Sequence, residues 1–395
     1  MTRLPFPRLP HRSLPALLIA ASLTGVPVMA QNQPAAAIAP AHPEQQRALV
    51  QIALLLDTSN SMDGLINQAK TELWSIVNEL AIARAHGAGP ALQVALYQYG
   101  NNGLDRSKGW VQQELAFTDD LDAVSEKLFA LTTNGGEEYC GWVIRDAAEQ
   151  LAWSGEANAL KMIVIAGNEG FDQGEVDFRS SVPGAIAKGV IVNTIFCGPD
   201  SEGRTTGWLE GAQLADGEYH NIDSDQAVAH IAAPQDDEIV RLGALINTTY
   251  LAFGAEGRAG LARQAEQDAA AEAVAPAARV QRMAAKGTAL YTNTAWDLLD
   301  AIEAEEVKLE EVKDADLPEA MRGMTLEEKK AYVEAKAKER TEIQQKLQSL
   351  QQARAEFVAQ KQREMAESGE QTLGQALIAA IRKQAEAKGL QFEEK

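Results

Sequence analysis

The stretch "LLLDTSNSMDGL" (residues 54–65) decides the fold, because a strongly apolar run stops there at an acidic residue. Asp57 ends the run, Ser59 and Ser61 follow at every second position, and a helical pattern begins near Gly64. A strand, a polar loop and a helix make up the repeating unit of an open α/β sheet, in which ligands bind beyond the carboxyl ends of the strands. We therefore interpret Asp57, Ser59 and Ser61 as a candidate binding site.

On either side of this stretch the chain alternates apolar runs with helical patterns, from about residue 48 to 253. Almost wholly apolar runs suit strands covered on both faces, whereas an alternating run suits an edge strand. The predicted strands are 51–57, 91–100, 109–118 (the edge strand), 161–168, 189–198 and 217–223. The predicted helices are 64–85, 119–131, 138–152, 179–188, 205–215 and 235–251. This order predicts an α/β fold with a doubly wound, mostly parallel six-stranded sheet.

The candidate site offers hard oxygen donors. Alternate residues of an extended loop point the same way, so the carboxylate and the two hydroxyls can converge. Such ligands suit Mg²⁺, Mn²⁺ or Ca²⁺ rather than zinc. The histidines offer no better metal site, since two precede the predicted fold and no two of the others have ligand spacing. They are His11, His42, His86, His220 and His230.

In this context residues 48–253 resemble the von Willebrand factor type A (vWA) family. Residues 57–61 read "DTSNS" and match D-x-S-x-S, the first motif of that family's metal-ion-dependent adhesion site (MIDAS). Further strings are similar to one subgroup of exported bacterial proteins with this domain: "YQYGNNGL" (97–104), "FTDDLDAVSEKLFALTTNGGEEYCGWVI" (117–144), "LINTTYLAFGAEG" (245–257) and "DLPEAMRGMTLEEKKAY" (316–332). The resemblance implies a Rossmann-like vWA fold. It also implies a divalent ion, with Mg²⁺ the first candidate, whose incomplete coordination is completed by an Asp or Glu side chain of a protein partner.

The second half of the site departs from the family pattern. The family usually supplies a threonine after a Gly-Gly pair, where "TTNGGEEYCG" (132–141) has Glu137, and an aspartate after the fourth strand, where "IAGNEG" (165–170) has Asn168. The expected metal ligands are therefore Asp57, Ser59, Ser61, Glu137 and Asn168, and a one-residue shift would offer Thr133 or Glu138. Because the anionic count near the metal stays at two, we favour a retained cation site over a degenerate, metal-free domain.

The character of the chain changes after residue 254, where Ala, Glu, Gln and Lys become frequent. We predict a helical region over 254–395, with helices at roughly 278–313, 325–364 and 373–387. Thr325 and Glu328 form a candidate capping box for the long helix. An antiparallel hairpin, packed back or acting as a spacer, is the simplest arrangement. A coiled-coil dimer is the alternative, although it needs a longer clean heptad seam.

The first thirty residues have the features of a signal peptide. Three arginines and no acid precede the apolar "LPALLIAASLTGV" (14–26), and small residues in "VMA" (28–30) suit a cleavage site. Residues 31–46 have the composition of a disordered linker. We therefore expect an exported protein, periplasmic or secreted, with no transmembrane segment after signal removal.

The chain has two cysteines, Cys140 and Cys197. An even pair in an oxidising compartment favours a disulfide, with two buried free thiols as the alternative. The resemblance places both residues at the same edge of the sheet, so we expect a disulfide that holds the metal loop there.

Charge and motifs exclude several classes of function. A net charge of −20 argues against nucleic acid and anionic membranes as partners. The sequence has no nucleophile elbow and no phosphate loop, so we do not expect an enzyme. The expected function is metal-dependent protein binding. The alternative is a structural or scaffold protein with a degenerate, metal-free vWA fold that binds through its C-terminal helices.

Overall fold

The computed structural model describes residues 47–85, 88–222, 231–365 and 373–392. The predicted signal peptide (1–30) and linker (31–46) lie outside the described residues. Contacts group His42–Lys395 into one unit, in which the α/β part and the C-terminal helices pack on each other. No helix in the described ranges combines the length and apolarity needed to cross a bilayer.

A six-stranded sheet forms the centre of the protein. Its strands are β1 (Leu49–Asp57), β3 (Ala91–Tyr99), β4 (Val111–Thr118), β5 (Leu160–Gly167), β6 (Ile191–Cys197) and β7 (Tyr219–Ile222). They lie in the order β4-β3-β1-β5-β6-β7, and every neighbouring pair is parallel except β3 and β4. A separate short pair joins β2 (Ala83–Arg84) to β8 (Gln391–Phe392). The predicted mostly parallel six-stranded sheet is therefore confirmed.

The central strands are buried on both faces because they are apolar at successive positions. In β1, Leu54 and Leu56 belong to the core on one face, while Ala53 and Leu55 belong to the core on the other. Strand β1 has β3 on one side and β5 on the other, so the winding of the chain reverses at β1. The carboxyl end of a strand at such a reversal borders the crevice in which α/β proteins bind ligands, and here that end is Asp57.

Helices cover both faces of the sheet. They are α1 (Asp63–Ala81), α2 (Leu121–Ala130), α3 (Cys140–Gln150), α4 (Phe178–Ile186), α5 (Asp200–Thr205), α6 (Trp208–Leu214) and α7 (Asp236–Ile246). Helices α1 and α2 contribute to the core that contains Leu54, whereas α3, α4 and α6 contribute to the core that contains Leu55. The predicted helix over 205–215 corresponds to α6 and the end of α5.

The C-terminal region is helical, as predicted, but its first predicted helix is wrong. The helices are α8 (Gly257–Val274), α9 (Pro276–Ala285), α10 (Leu298–Glu303), α11 (Leu326–Met365) and α12 (Leu373–Ala387). Instead of one helix over 278–313, the chain forms α9, leaves the helix near Gly287 and resumes with α10. Gly287 lies against Leu347 of α11 with no room for a side chain, and the Thr-rich residues that follow are poor helix formers. Helix α8 was not predicted.

The C-terminal helices pack against the α/β part. Helix α9 contacts α1 and α7, α11 contacts chiefly α7, and α12 contacts α1 and strands β5, β6 and β7. Leu347 of α11 and Ile381 of α12 belong to the same core as Leu54 of β1. These helices therefore complete the layer that covers one face of the sheet.

Buried arginines connect these helices to their surroundings. Arg282 of α9 is fully buried, and its guanidinium pairs with Asp122 of α2 at 2.8 Å. Arg340 of α11 pairs with Asp297 and Asp300 at 2.7 Å each. Buried charges are rarely left unpaired, so these contacts specify where α9 and α11 dock.

Candidate metal site

The first half of the predicted site lies at the carboxyl end of β1. Asp57 is fully buried, and its Oδ1 accepts a hydrogen bond of 2.7 Å from the backbone N–H of Ser59. The backbone N–H of Thr58 donates to the carbonyl of Tyr99 at 2.9 Å, which continues the pairing with β3 for one more residue. The hydroxyl oxygens of Ser59 and Ser61 lie 3.2 Å apart. The alternate side chains therefore converge, as the sequence predicts.

Asn168 follows β5 and meets this first motif. Its side-chain amide nitrogen donates to Ser61 Oγ at 3.1 Å. The contact follows from the topology, because β5 is the parallel neighbour of β1 and their carboxyl ends lie side by side. The structure therefore brings together four of the five expected residues, namely Asp57, Ser59, Ser61 and Asn168.

The fifth expected residue, Glu137, lies outside the site. Its side chain is exposed, whereas that of Glu138 is buried and lies next to the Asp57 carboxyl. Successive side chains of a non-helical loop point to opposite sides, so a shift of one residue exchanges inside for outside. The structure therefore places Glu138, the alternative that a one-residue shift offered, beside Asp57 in place of Glu137. Thr133, the other alternative, forms a hydrogen bond with Asp63 instead.

Glycines make room for the two carboxyl groups. Gly100 follows β3 with a φ of +78°, and a Cβ there would come within 2.8 Å of both Asp57 Oδ1 and Glu138 Cγ. Gly167, at the end of β5, faces the Asp57 carboxyl, and Gly136 packs directly on the carbonyl of Gly100. The site thus depends on three loops that approach one another more closely than side chains would allow.

Burial raises the pKa of both carboxyl groups. Loss of hydration raises the pKa of Asp57 to about 6, and hydrogen bonds from Glu138 and Ser59 oppose the rise. Loss of hydration and the adjacent Asp57 carboxylate raise the pKa of Glu138 to about 9. Without a cation, the pair therefore retains a proton at neutral pH.

The donor set fits a hard divalent cation. Asp57 Oδ2 and Glu138 Oε2 are buried and have no hydrogen-bond partner, which is costly for carboxylate oxygens. The hydroxyls of Ser59 and Ser61 and the amide of Asn168 add neutral oxygens at the same place. Over the described ranges, no three His, Cys, Asp or Glu side chains cluster as a metal site. A cation here would therefore be coordinated by two carboxylates and neutral oxygen donors.

The predicted disulfide between Cys140 and Cys197 is wrong, because both cysteines are buried free thiols. Cys140 belongs to the core on the α3 face of the sheet, and Cys197 belongs to the core on the α1 face. The sheet therefore separates the two sulfurs. The Cys140 thiol lies 3.8 Å from the hydroxyl of Tyr99.

The sequence analysis gave Tyr99 and Gly100 no part in the site. Tyr99 is fully buried, and its hydroxyl donates to the carbonyl of Ala166 at 3.0 Å, which joins the ends of β3 and β5 beside Asp57. The Tyr-Gly pair in "YQYGNNGL" is the sequence feature that could have indicated this role. A glycine directly after a strand indicates that another part of the backbone comes close or that φ is positive.

Comparison with known families identifies the α/β part. Residues 51–235 match the family model of the von Willebrand factor type A domain, and this segment has the vWA fold. No curated protein matches the chain in sequence.

Several solved structures are similar to part of the chain at low identity. Proximal thread matrix protein 1 from the mussel byssus, in a structure with a zinc-occupied MIDAS motif, shares 13% identity with a TM-score of 0.35 over 46% of this chain and 43% of that chain. The conserved hypothetical protein BatB from Bacteroides thetaiotaomicron shares 18% with a TM-score of 0.33 over 44% of this chain and 90% of that chain. The pilus adhesin SpaC from Lactobacillus rhamnosus GG shares 15% with a TM-score of 0.34 over 45% of this chain and 28% of that chain. This chain thus spans less than half the length of the mussel protein.

Proposed function

We propose that this protein is exported and binds a protein partner through its vWA domain, in a manner that depends on a divalent cation. The observation that carries the proposal is the pair of buried carboxylate oxygens, Asp57 Oδ2 and Glu138 Oε2, without hydrogen-bond partners. A cation beside them would neutralise both charges and replace the hydration that burial removes. The proposal of export to the periplasm or the exterior rests on the signal-peptide features of residues 1–30.

Five side chains would hold the ion. They are Asp57, Ser59, Ser61, Glu138 and Asn168. The N–H of Ser59 fixes the orientation of the Asp57 carboxyl, and Asn168 positions the Ser61 hydroxyl. These oxygen donors favour Mg²⁺, with Ca²⁺ or Mn²⁺ as alternatives. The ion would supply a positive charge that attracts an Asp or Glu side chain of the partner.

Glu138 changes the strength of that attraction. Two protein carboxylates balance the charge of a divalent ion, so an incoming carboxylate gains less electrostatic energy than it would from an ion held by one. We therefore expect the wild type to bind an acidic side chain more weakly than its own Glu138→Thr variant, which keeps only one carboxylate at the site.

Calorimetry with Mg²⁺, Mn²⁺ and Ca²⁺ tests the metal site. We expect binding heat in the wild type, none in Asp57→Ala, and at least tenfold weaker affinity in Glu138→Gln, which removes one of two anionic ligands. Glu137→Gln is the matched control, since the exposed neighbour should bind the metal as the wild type does. Equal, negligible heats in wild type and Asp57→Ala would refute the site.

Affinity capture with the full chain in Mg²⁺ and in EDTA separates the two functional classes. Metal-dependent binding predicts partners that are released in EDTA and are not retained by Asp57→Ala. A scaffold that binds through its C-terminal helices would keep the same partners under both conditions.

A further inference from the structure

Three aromatic side chains form a patch beside the candidate metal site. Trp110 packs edge-on against Tyr139 with ring centres 5.3 Å apart, and Tyr139 stacks with Trp142 at 6.5 Å. All three side chains are partly exposed. We call Trp110, Tyr139 and Trp142 the aromatic rim. Its central residue, Tyr139, directly follows Glu138, so one loop contributes to both the rim and the metal site.

The backbone holds Trp110 in an uncommon conformation. Its φ is +50°, in a region that bulky residues rarely adopt, and the φ of Gly109 before it is +67°. The N–H of Trp110 donates to the carbonyl of Asp105 at 3.2 Å, and its own carbonyl accepts from Gly100 at 3.1 Å. Strained conformations of this kind cluster at sites of function. Gly100 touches the Asp57 carboxyl, so the same loop that shapes the metal site also positions this tryptophan.

Cations flank the aromatic rim. The guanidinium of Arg106 lies 5.5 Å from the ring centre of Trp110, and that of Arg145 lies 4.6 Å from the ring centre of Trp142. Arg145 also has a carboxylate partner, whereas Arg106 and Lys108 are exposed and form no salt bridge within the described part of the chain. Tryptophan, tyrosine and arginine are the residues that most often dominate binding energy at protein interfaces.

The turn of residues 105–108 carries a net positive charge. The carboxylate of Asp105 accepts from the N–H and the hydroxyl of Ser107 at 2.8 and 2.7 Å, and Arg106 and Lys108 add two exposed cations. In a chain of net charge −20 this turn is a local exception that favours acidic over basic partners. Exposed Glu137 adds a negative charge on the neighbouring loop. We therefore assign the attraction for acidic side chains to the 105–108 turn alone.

We propose that the aromatic rim, with the cations of the 105–108 turn, docks a segment of the partner protein that combines acidic with aromatic or aliphatic side chains. The inference rests on the proposed function and names the partner chemistry of that site. Because Glu138 lowers the attraction of the metal for a carboxylate, the metal alone supplies a weak contact. The rim supplies apolar area and the turn supplies charge, which together anchor the segment.

Panning a random 12-residue peptide library displayed on phage against the full chain in Mg²⁺ tests this proposal. We expect the selected peptides to be enriched in Asp or Glu together with Phe, Trp or Leu. Synthetic versions of the strongest peptide, with Asp and Glu replaced by Asn and Gln, should bind about tenfold more weakly or worse. Enrichment of basic peptides, or no enrichment, would overturn the proposal.

Variants assign the binding to the rim. Trp110→Gly suits the positive φ and should weaken binding of the selected peptide about tenfold or more. Arg106→Glu should also weaken peptide binding and reduce its dependence on salt concentration. Phe129→Ala and Lys127→Glu on α2 are the matched controls and should leave affinity unchanged. Unchanged affinity in both rim variants, or self-association of the chain that Trp110→Gly abolishes, would overturn the proposal.

The same variants distinguish failure of the rim from failure of the metal site. If metal binding in calorimetry depends on Asp57 but peptide affinity is unchanged in the Trp110 and Arg106 variants, the rim proposal is overturned and the metal site stands. Peptide binding that depends on Trp110 but is equal in Mg²⁺ and EDTA supports the rim and contradicts the metal-dependent function.

Discussion

A carboxyl group buried beside another needs a proton or a cation, and Glu138 beside Asp57 is such a case. Burial raises the pKa of both groups, to about 9 and about 6. In the unfolded chain both would ionise near pH 4. The folded, metal-free protein therefore keeps protons that the unfolded chain has already lost over the pH range between these values.

This difference predicts the pH dependence of stability. An acid whose folded pKa is raised contributes stability that is complete below about pH 4 and is lost as pH rises to the folded pKa. In EDTA, Glu138→Gln should remove the contribution of Glu138 to that loss, which extends from about pH 4 to about pH 9, and stabilise the protein at pH 9 by about 1 to 3 kcal/mol. Urea unfolding at several pH values measures both effects.

Glu137→Gln provides the control, because this side chain is exposed and should leave the pH profile as in the wild type. Identical profiles for wild type and Glu138→Gln would contradict a shared proton at the site. Metal ions must displace that proton, so apparent Mg²⁺ affinity should rise with pH in the wild type and rise less in Glu138→Gln.

Prediction from sequence placed Glu137 beside Asp57, whereas in the structure its neighbour Glu138 takes that position. The D-x-S-x-S string fixed Asp57, Ser59 and Ser61, since a short motif after a strand leaves little freedom of register. The side of the loop that Glu137 and Glu138 face depends on how "TTNGGEEYCG" passes over Gly100, a tertiary contact with no local signal.

At the scale of elements, the loop after β3 controls how close the Glu138 loop comes to β1. Asn101 Nδ2 donates to the carbonyl of Thr132 at 2.9 Å, and the N–H of Asn102 donates to the carbonyl of Gly135 at 2.9 Å. These bonds join the two loops directly above the buried carboxyl groups. The geometry of the site is therefore a property of the paired loops.

Gly100→Ala tests this coupling. The new Cβ would occupy a position 2.8 Å from Asp57 Oδ1 at a φ of +78°, so we expect a loss of about 1 to 3 kcal/mol in unfolding free energy and weaker metal binding. Gly184→Ala in α4, where a Cβ meets open space, should instead be neutral or slightly stabilising. Urea denaturation and calorimetry check the pair, and an equal effect of both substitutions would remove the special role of Gly100.

Periodicity predicted those elements whose burial follows from their own sequence. Four of the six strands, namely β1, β3, β5 and β6, were evident because each is an apolar run of strand length, and α11 was evident from its uninterrupted helix formers. The break between α9 and α10 was not evident, because the need for a glycine at position 287 comes from the close approach of Leu347, sixty residues away in the chain.

At the scale of the whole molecule, the vWA sheet and the C-terminal helices share one core. Leu377 and Ile381 of α12 and Leu347 of α11 are buried with Leu54 and Leu73 of the α/β part. The boundary that the sequence suggests near residue 253 stays a prediction, yet the packing implies that the two parts stabilise each other.

Ile381→Ala tests that cooperation. The side chain is buried, so its truncation should cost about 2 to 5 kcal/mol, and the single unfolding transition of the whole chain should shift as one. Glu386→Ala on the exposed side of α12 should have little effect. Fluorescence and circular dichroism followed in urea would contradict shared folding if α12 melted separately and left the main transition in place.

The positions of Cys140 and Cys197 on opposite faces of the sheet have a practical consequence. An alkylating reagent can reach each thiol only when the helices over its own face move away, so each cysteine reports the opening of one layer. The ratio of the two labelling rates compares how readily the two helical layers open. The measurement needs no engineered probe. Oxidants in the surroundings should leave the folded chain unbridged, since the two buried sulfurs lie on opposite faces of the sheet.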